Sequence, residues 1–136
     1  MKVIYVAGPY RHATRAGIQL NIQSSMKVGC LVAQKGYSPI IPHMNTAHMD
    51  EVIRPGDEQF WLDATMELMR RCDAVVLCPG WQMSSGTIGE IIEAVRLEIP
   101  VYESVEVLPC PTVFVRAPRI PKFIQRAIKQ ELAANG

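Results

Sequence analysis

Apolar residues fall along the chain in two alternating rhythms. Short, unbroken apolar runs, KVIYVA over Lys2–Ala7 and AVVLC over Ala74–Cys78, are rich in β-branched and small residues. Runs of that length with no polar alternation predict strands buried on both faces of a sheet. Between them, apolar positions recur at helical spacing. Ile18, Ile22, Met26, Cys30 and Val32–Ala33 predict a helix over residues 14–35 that is closed by Gly36. Phe60, Ala64 and Leu68, with Trp61 and Met69, predict one over 57–71, and Ile88, Ile91, Ile92 and Val95 predict another. Tyr37–Pro42 reads as a short strand whose two prolines suit a sheet edge, and Pro100–Val105 as a further strand. Thr112–Val115 is an uncertain fifth strand, and Pro121–Ala134 is a C-terminal helix with proline at its start.

Strands alternating with helices predict an α/β protein with a doubly wound parallel sheet of four to five strands. Its 136 residues make one domain, spanning 1–136, with a C-terminal extension helix at about 120–134. In a flavodoxin-like, Rossmann-like three-layer order, the first and third strands lie side by side. A crevice then opens at their C-terminal ends. Two loops end there, Gly8-Pro9-Tyr10-Arg11 and Pro79-Gly80-Trp81-Gln82-Met83-Ser84. The fold pattern thus brings together two segments that lie far apart in the chain.

The second loop runs through Ser85 and Gly86 into a helix, so hydroxyls and backbone N–H groups gather at a helix N-terminus, a natural anion site. Glu90 lies close behind. Two readings of Glu90 stand side by side. Thr87-Ile88-Gly89-Glu90 fits the T-x-x-E capping box, in which the carboxylate only bonds back to the Thr87 backbone. Alternatively, the carboxylate faces the crevice.

Composition narrows the function classes. A formal net charge of +1 gives no reason to expect a nucleic-acid polymer or a membrane as partner, and no stretch approaches a membrane span. The four cysteines form no C-x-x-C pair; Cys30, Cys72 and Cys78 lie in or beside apolar runs and read as buried, reduced thiols of a cytoplasmic protein. His43 and His48, in a long polar loop over 43–56, lack the spacing and the third ligand of a metal site. No metal and no cofactor is expected. The dinucleotide fingerprint G-x-G-x-x-G is absent from the first loop.

The motifs AGPYR, PIIPH and CDAVVLCPGW, followed by Ser84, Gly86 and Glu90, together resemble the nucleoside 2-deoxyribosyltransferase-like superfamily over residues 3 to about 103. They are closest in pattern to its nucleoside 5′-monophosphate N-glycosidases, the 2′-deoxynucleoside 5′-phosphate N-hydrolases and CMP hydrolases. An uncharacterised and often phage-encoded branch is closer still. The resemblance implies Glu90 as nucleophile and Tyr5 as the tyrosine that contacts it. It implies Gly8 and Arg11 as the loop that approaches sugar or phosphate. Ser84 falls where the transferases carry an Asp for the free 5′-hydroxyl and the monophosphate hydrolases carry Ser. That exchange makes physical sense, because Asp repels a phosphate and Ser donates to it.

Tyr10, Trp81, Ser85 and Gly86 complete the candidate substrate site, Trp81 as a surface on which a base stacks. One departure stands out. Eight residues before Asp73, where the family usually has an Asp, stands Thr65; Asp63 is near but turned by about 200° on a helix. Asp57, Glu58 and Asp63 are the candidate proton donors. The implied activity is hydrolysis of the base–sugar bond of a nucleoside 5′-monophosphate by a homo-oligomer, a dimer or larger. The alternatives are a non-catalytic nucleotide-binding module and a deoxyribosyltransferase.

Overall fold

The computed structural model describes residues 1–135. Four parallel strands form one sheet in the order β2-β1-β3-β4: β1 (Val3–Ala7), β2 (Ser38–Ile40), β3 (Ala74–Leu77) and β4 (Val101–Tyr102). Five helices connect or flank them: α1 (Arg15–Gln34), α2 (Pro42–Asn45), α3 (Glu58–Arg70), α4 (Ser85–Arg96) and α5 (Lys122–Asn135). This is the flavodoxin-like order, with the switch point between β1 and β3.

The period of two along each strand divides the core. Ile4, Val6, Ala74 and Val76 face one side, against Val28 and Val32 of α1 and against Val105 and Leu108. Tyr5, Ala7, Val75 and Leu77 face the other, against Met69 of α3, Ile91 and Ala94 of α4 and Ile124 of α5. Both faces are covered, which is why the two central strands carry no polar alternation. Pro39, which has no N–H to give a second neighbour, sits on edge strand β2 opposite Ile4. Asp73, just before β3, accepts from the Val3 N–H at 2.7 Å and so ties the start of β1 to that of β3.

Several expectations fail in detail. Thr112–Val115 is not a strand: Pro111–Val113 is a 3₁₀ turn, because the proline there has no N–H for a ladder. The following chain folds back so that Arg119 O accepts from the Val101 N–H at 3.0 Å. In α1 the inward face carries Gly17, Ser25, Val28, Gly29 and Val32, while Met26 and Cys30 are exposed. Small residues win that face because the helix lies close: a Cβ on Gly29 would stand 2.3 Å from Ile41 Cδ1. Cys30 is therefore not a core thiol. Cys72 and Cys78 are, and burial pushes both up to about 11, so they stay protonated. Phe60 lies exposed beside the Arg54 guanidinium instead of facing the core. The long loop over 43–56 holds short α2 and a 3₁₀ turn at Met49–Glu51. Among the described residues no helix is long and apolar enough to cross a membrane.

At the switch point the strand ends nearly touch. A Cβ on Gly8 would stand 2.6 Å from Cys78 Cβ. Gly8→Ala should therefore force β1 and β3 apart and cost about 1–3 kcal/mol, the range for overpacking, read as a lower urea midpoint. Unchanged stability would mean that these strand ends part freely.

Candidate active site

The first layer of the site is set by where α4 begins. Gly80, with φ at 84°, reverses the chain after β3, and Trp81–Met83 make a 3₁₀ turn. Ser84 then caps α4: its Oγ accepts from the Thr87 N–H at 3.2 Å and from Thr87 Oγ1 at 2.9 Å. Thr87 is thus inside the helix and buried, not at its cap. Glu90 becomes the sixth residue of α4 and lies in its second turn. A capping box would need it at the third helical position. The structure removes the capping reading of Glu90 and leaves its carboxylate for the cleft.

That cleft, of about 380 Å³, opens at the C-terminal ends of β1 and β3. Tyr5 and Glu90 line it together with Gly8, Tyr10, Arg11, Ser84, Ser85 and Gly86. Eight of the nine residues singled out from the sequence therefore meet in one place. The ninth, Trp81, does not line it. Trp81 is 4% exposed and packs in the core with Leu77 and Ile91, because the 3₁₀ turn directs it inward over the sheet. The indole in the cleft is Trp61 of α3, which meets Phe60 edge-on.

Glu90 Oε2 and the Tyr5 hydroxyl are both sealed from solvent without a hydrogen-bond partner of ordinary geometry. Burial pushes the Glu90 carboxyl up to about 7, and the nearby Tyr5 hydroxyl pulls the other way. Tyr5 is held well above its ordinary value, first by burial and then by the Glu90 charge, while Thr65 works in the opposite sense. Two buried polar groups left this way are costly in any core. Both residues also line the cleft.

Helix α3 supplies the opposite wall. Glu58, Trp61, Leu62 and Thr65 fall at i, i+3, i+4 and i+7 and all line the cleft. Thr65 Oγ1 donates to the Leu62 carbonyl at 3.1 Å. Of the three acids considered as proton donors, only Glu58 is in the cleft. Asp63 is exposed and accepts from Gln59, and Asp57 caps α3 at the Phe60 N–H. His43 is a further cleft residue that sequence reasoning treated only as a possible ligand. Its Nε2 lies 2.7 Å from Gly8 O and 2.9 Å from Pro9 O, and Tyr10 packs edge-on against its ring. Burial lowers its pKa, so the neutral ring donates one N–H to both carbonyls and fixes the first loop. Asn21 Nδ2 donates to the Tyr10 carbonyl and holds the loop from α1. Among the described residues no three His, Cys, Asp or Glu gather as a metal site.

Because folding raises the Glu90 pKa from 4.5 to about 7, the folded state favours its proton. Its stabilising contribution is complete below pH 4.5 and is lost as pH rises through 7. Glu90→Gln should therefore gain on the wild type by on the order of 3 kcal/mol at pH 8.5, at 1.36 kcal/mol per unit, and by little at pH 4.5. Urea unfolding at the two pH values checks this; an equal difference at both would mean that the carboxyl titrates normally.

No curated protein matches the chain. Among solved structures, a 2-deoxyribosyltransferase from the psychrotolerant bacterium Bacillus psychrosaccharolyticus is similar over 73% of this chain and 69% of its own. The TM-score is 0.53 and the identity 20%, a likeness of fold. That enzyme is described as a biocatalyst for the synthesis of antiviral and antitumoral nucleosides. Residues 2–104, which hold all four strands and every residue of the cleft, match a family model, and the chain belongs to that family, described as a domain of unknown function, DUF7768.

Proposed function

We propose that the protein is an N-glycosidase that hydrolyses the base–sugar bond of a nucleoside 5′-monophosphate. The observation that carries this reading is Glu90: freed of capping, it lies beside Tyr5 in the cleft with one carboxylate oxygen sealed and unpaired. In its ionised form the carboxylate attacks C1′ of the sugar. The C1′–N bond breaks, the base leaves with its electron pair and takes up a proton, and a glycosyl ester remains on Glu90. Water then cleaves the ester and restores the carboxylate. Tyr5, beside it, orients the Glu90 carboxylate. The phosphate lies at the start of α4, where Ser84 Oγ, already accepting two bonds, has its own O–H left to donate. The N–H groups of Ser85 and Gly86 belong to the unsatisfied first turn of the same helix.

A second reading, a nucleotide-binding module without turnover, draws on Thr65. It lies on the cleft wall beside Tyr5, where the superfamily pattern has a carboxylate, and a hydroxyl there cannot serve as a comparable acid. The transferase reading gains less, since Ser84 in place of Asp suits a phosphate. For self-association, the support is the apolar surface: Val52 is 82% exposed and Met83, on the cleft rim, 90%.

Incubation with CMP and the four 2′-deoxynucleoside 5′-monophosphates, followed by chromatography for free base, tests the proposal. Base release is expected from the wild type, rising with pH through about 7 as Glu90 ionises. Loss by Glu90→Gln should be at least ~10³-fold with nucleotide binding retained. Wild-type release from that variant would rule out the mechanism. If the wild type binds nucleotides without releasing base and Thr65→Asp restores release, the binding-module reading holds for the natural protein.

A further inference from the structure

Arg11 is the sole permanent cation among the described residues that line the cleft. Its guanidinium is already engaged: Nη1 donates to Glu58 Oε1 at 2.8 Å. The cleft thus offers one neutralised cation, a carboxyl at Glu90 and a His43 ring that burial keeps neutral. A phosphate dianion entering it meets a guanidinium whose charge Glu58 already offsets.

The pair is suited to exchange. Its side chains are 56% and 66% exposed, and pairs of that kind contribute only about 0.2–1 kcal/mol. A guanidinium–phosphate contact is charge-assisted and can be bidentate. Glu58 has no capping duty, because Asp57 caps α3 and also pairs with Arg54. The pair also stands in the right place. Leu62 lies against the first turn of α4, with a Cβ on Gly86 falling 3.9 Å from Leu62 Cδ2. Glu58 is one turn of α3 from Leu62, about 6 Å. Arg11 thus lines the same cleft as the helix end where Ser84 and the first-turn N–H groups converge.

We propose that Glu58 is a specificity-determining residue that holds Arg11 across the cleft mouth and yields it to the phosphate of the substrate. A bare nucleoside leaves the pair closed; a 5′-monophosphate opens it and recruits the guanidinium. Glu58 thus competes with every anion for Arg11. This inference rests on the monophosphate reading above.

Calorimetric titration of CMP and the 2′-deoxynucleoside 5′-monophosphates against their nucleosides tests it in wild type, Glu58→Gln, Arg11→Gln and the double variant. At low ionic strength Glu58→Gln should bind monophosphates up to about fivefold more tightly, the worth of removing an exposed competing charge. Nucleoside affinity should change far less, and salt should shrink the gain. In the Arg11→Gln background the gain should vanish. Unchanged or weaker monophosphate binding by Glu58→Gln overturns the exchange, as does a gain that survives without Arg11, which would be plain repulsion. Parallel losses for nucleotide and nucleoside would place Glu58 on the base or sugar instead, and also overturn it. A wild type that binds a nucleotide no better than its nucleoside defeats the monophosphate reading itself, and the exchange with it; failure of the exchange alone shows only in Glu58→Gln.

Discussion

The parallel pairing of β1 with β3 is the contact on which the site depends. It places Ala7 beside Leu77, so that the loops leaving the two strands begin side by side. Gly8 permits the closest approach, and its carbonyl is then fixed by His43 from the segment after β2. Three separate stretches of chain converge at this one end of the sheet. Local features shape them: the bifurcated His43 bond ties the stretches after β1 and β2 together, and the positive φ of Gly80 and the Ser84 cap set the course of the one after β3.

Glu90 shows what that convergence sustains. A carboxylate placed one turn deeper than any cap requires lies beside the Tyr5 hydroxyl and is sealed on one oxygen. The cost of its burial outweighs the help of the Tyr5 hydroxyl, so the fold tolerates a group that works against it at neutral pH. Sites of this kind, where a local rule is broken inside an otherwise consistent structure, are where function is found.

The central strands, the edge position of β2 and the convergence of the two loops were legible in sequence, because burial on both faces writes itself as unbroken apolar runs. Other features were not, for identifiable reasons. Ser84 and Thr87 are both good caps, and only the length of the preceding turn decides between them. The inward face of α1 is marked by glycine and serine, so a search for large apolar residues follows the wrong stripe. Trp81 and Trp61 exchange their expected places, since a 3₁₀ turn aims one at the core while helical spacing carries the other to the cleft. His43 acts on backbone carbonyls, which leave no trace in residue identity.

The tail has a practical consequence for anyone dividing this protein. The family match ends at residue 104, yet Leu108 and Ile124 beyond it are buried, one on each side of the sheet. Tyr37 donates to the Pro109 carbonyl, and Val101 to that of Arg119. A fragment trimmed to the family boundary would keep every residue of the cleft and lose the outer wrapping of both core halves. The unit recognised by sequence similarity and the unit that folds are different lengths of chain.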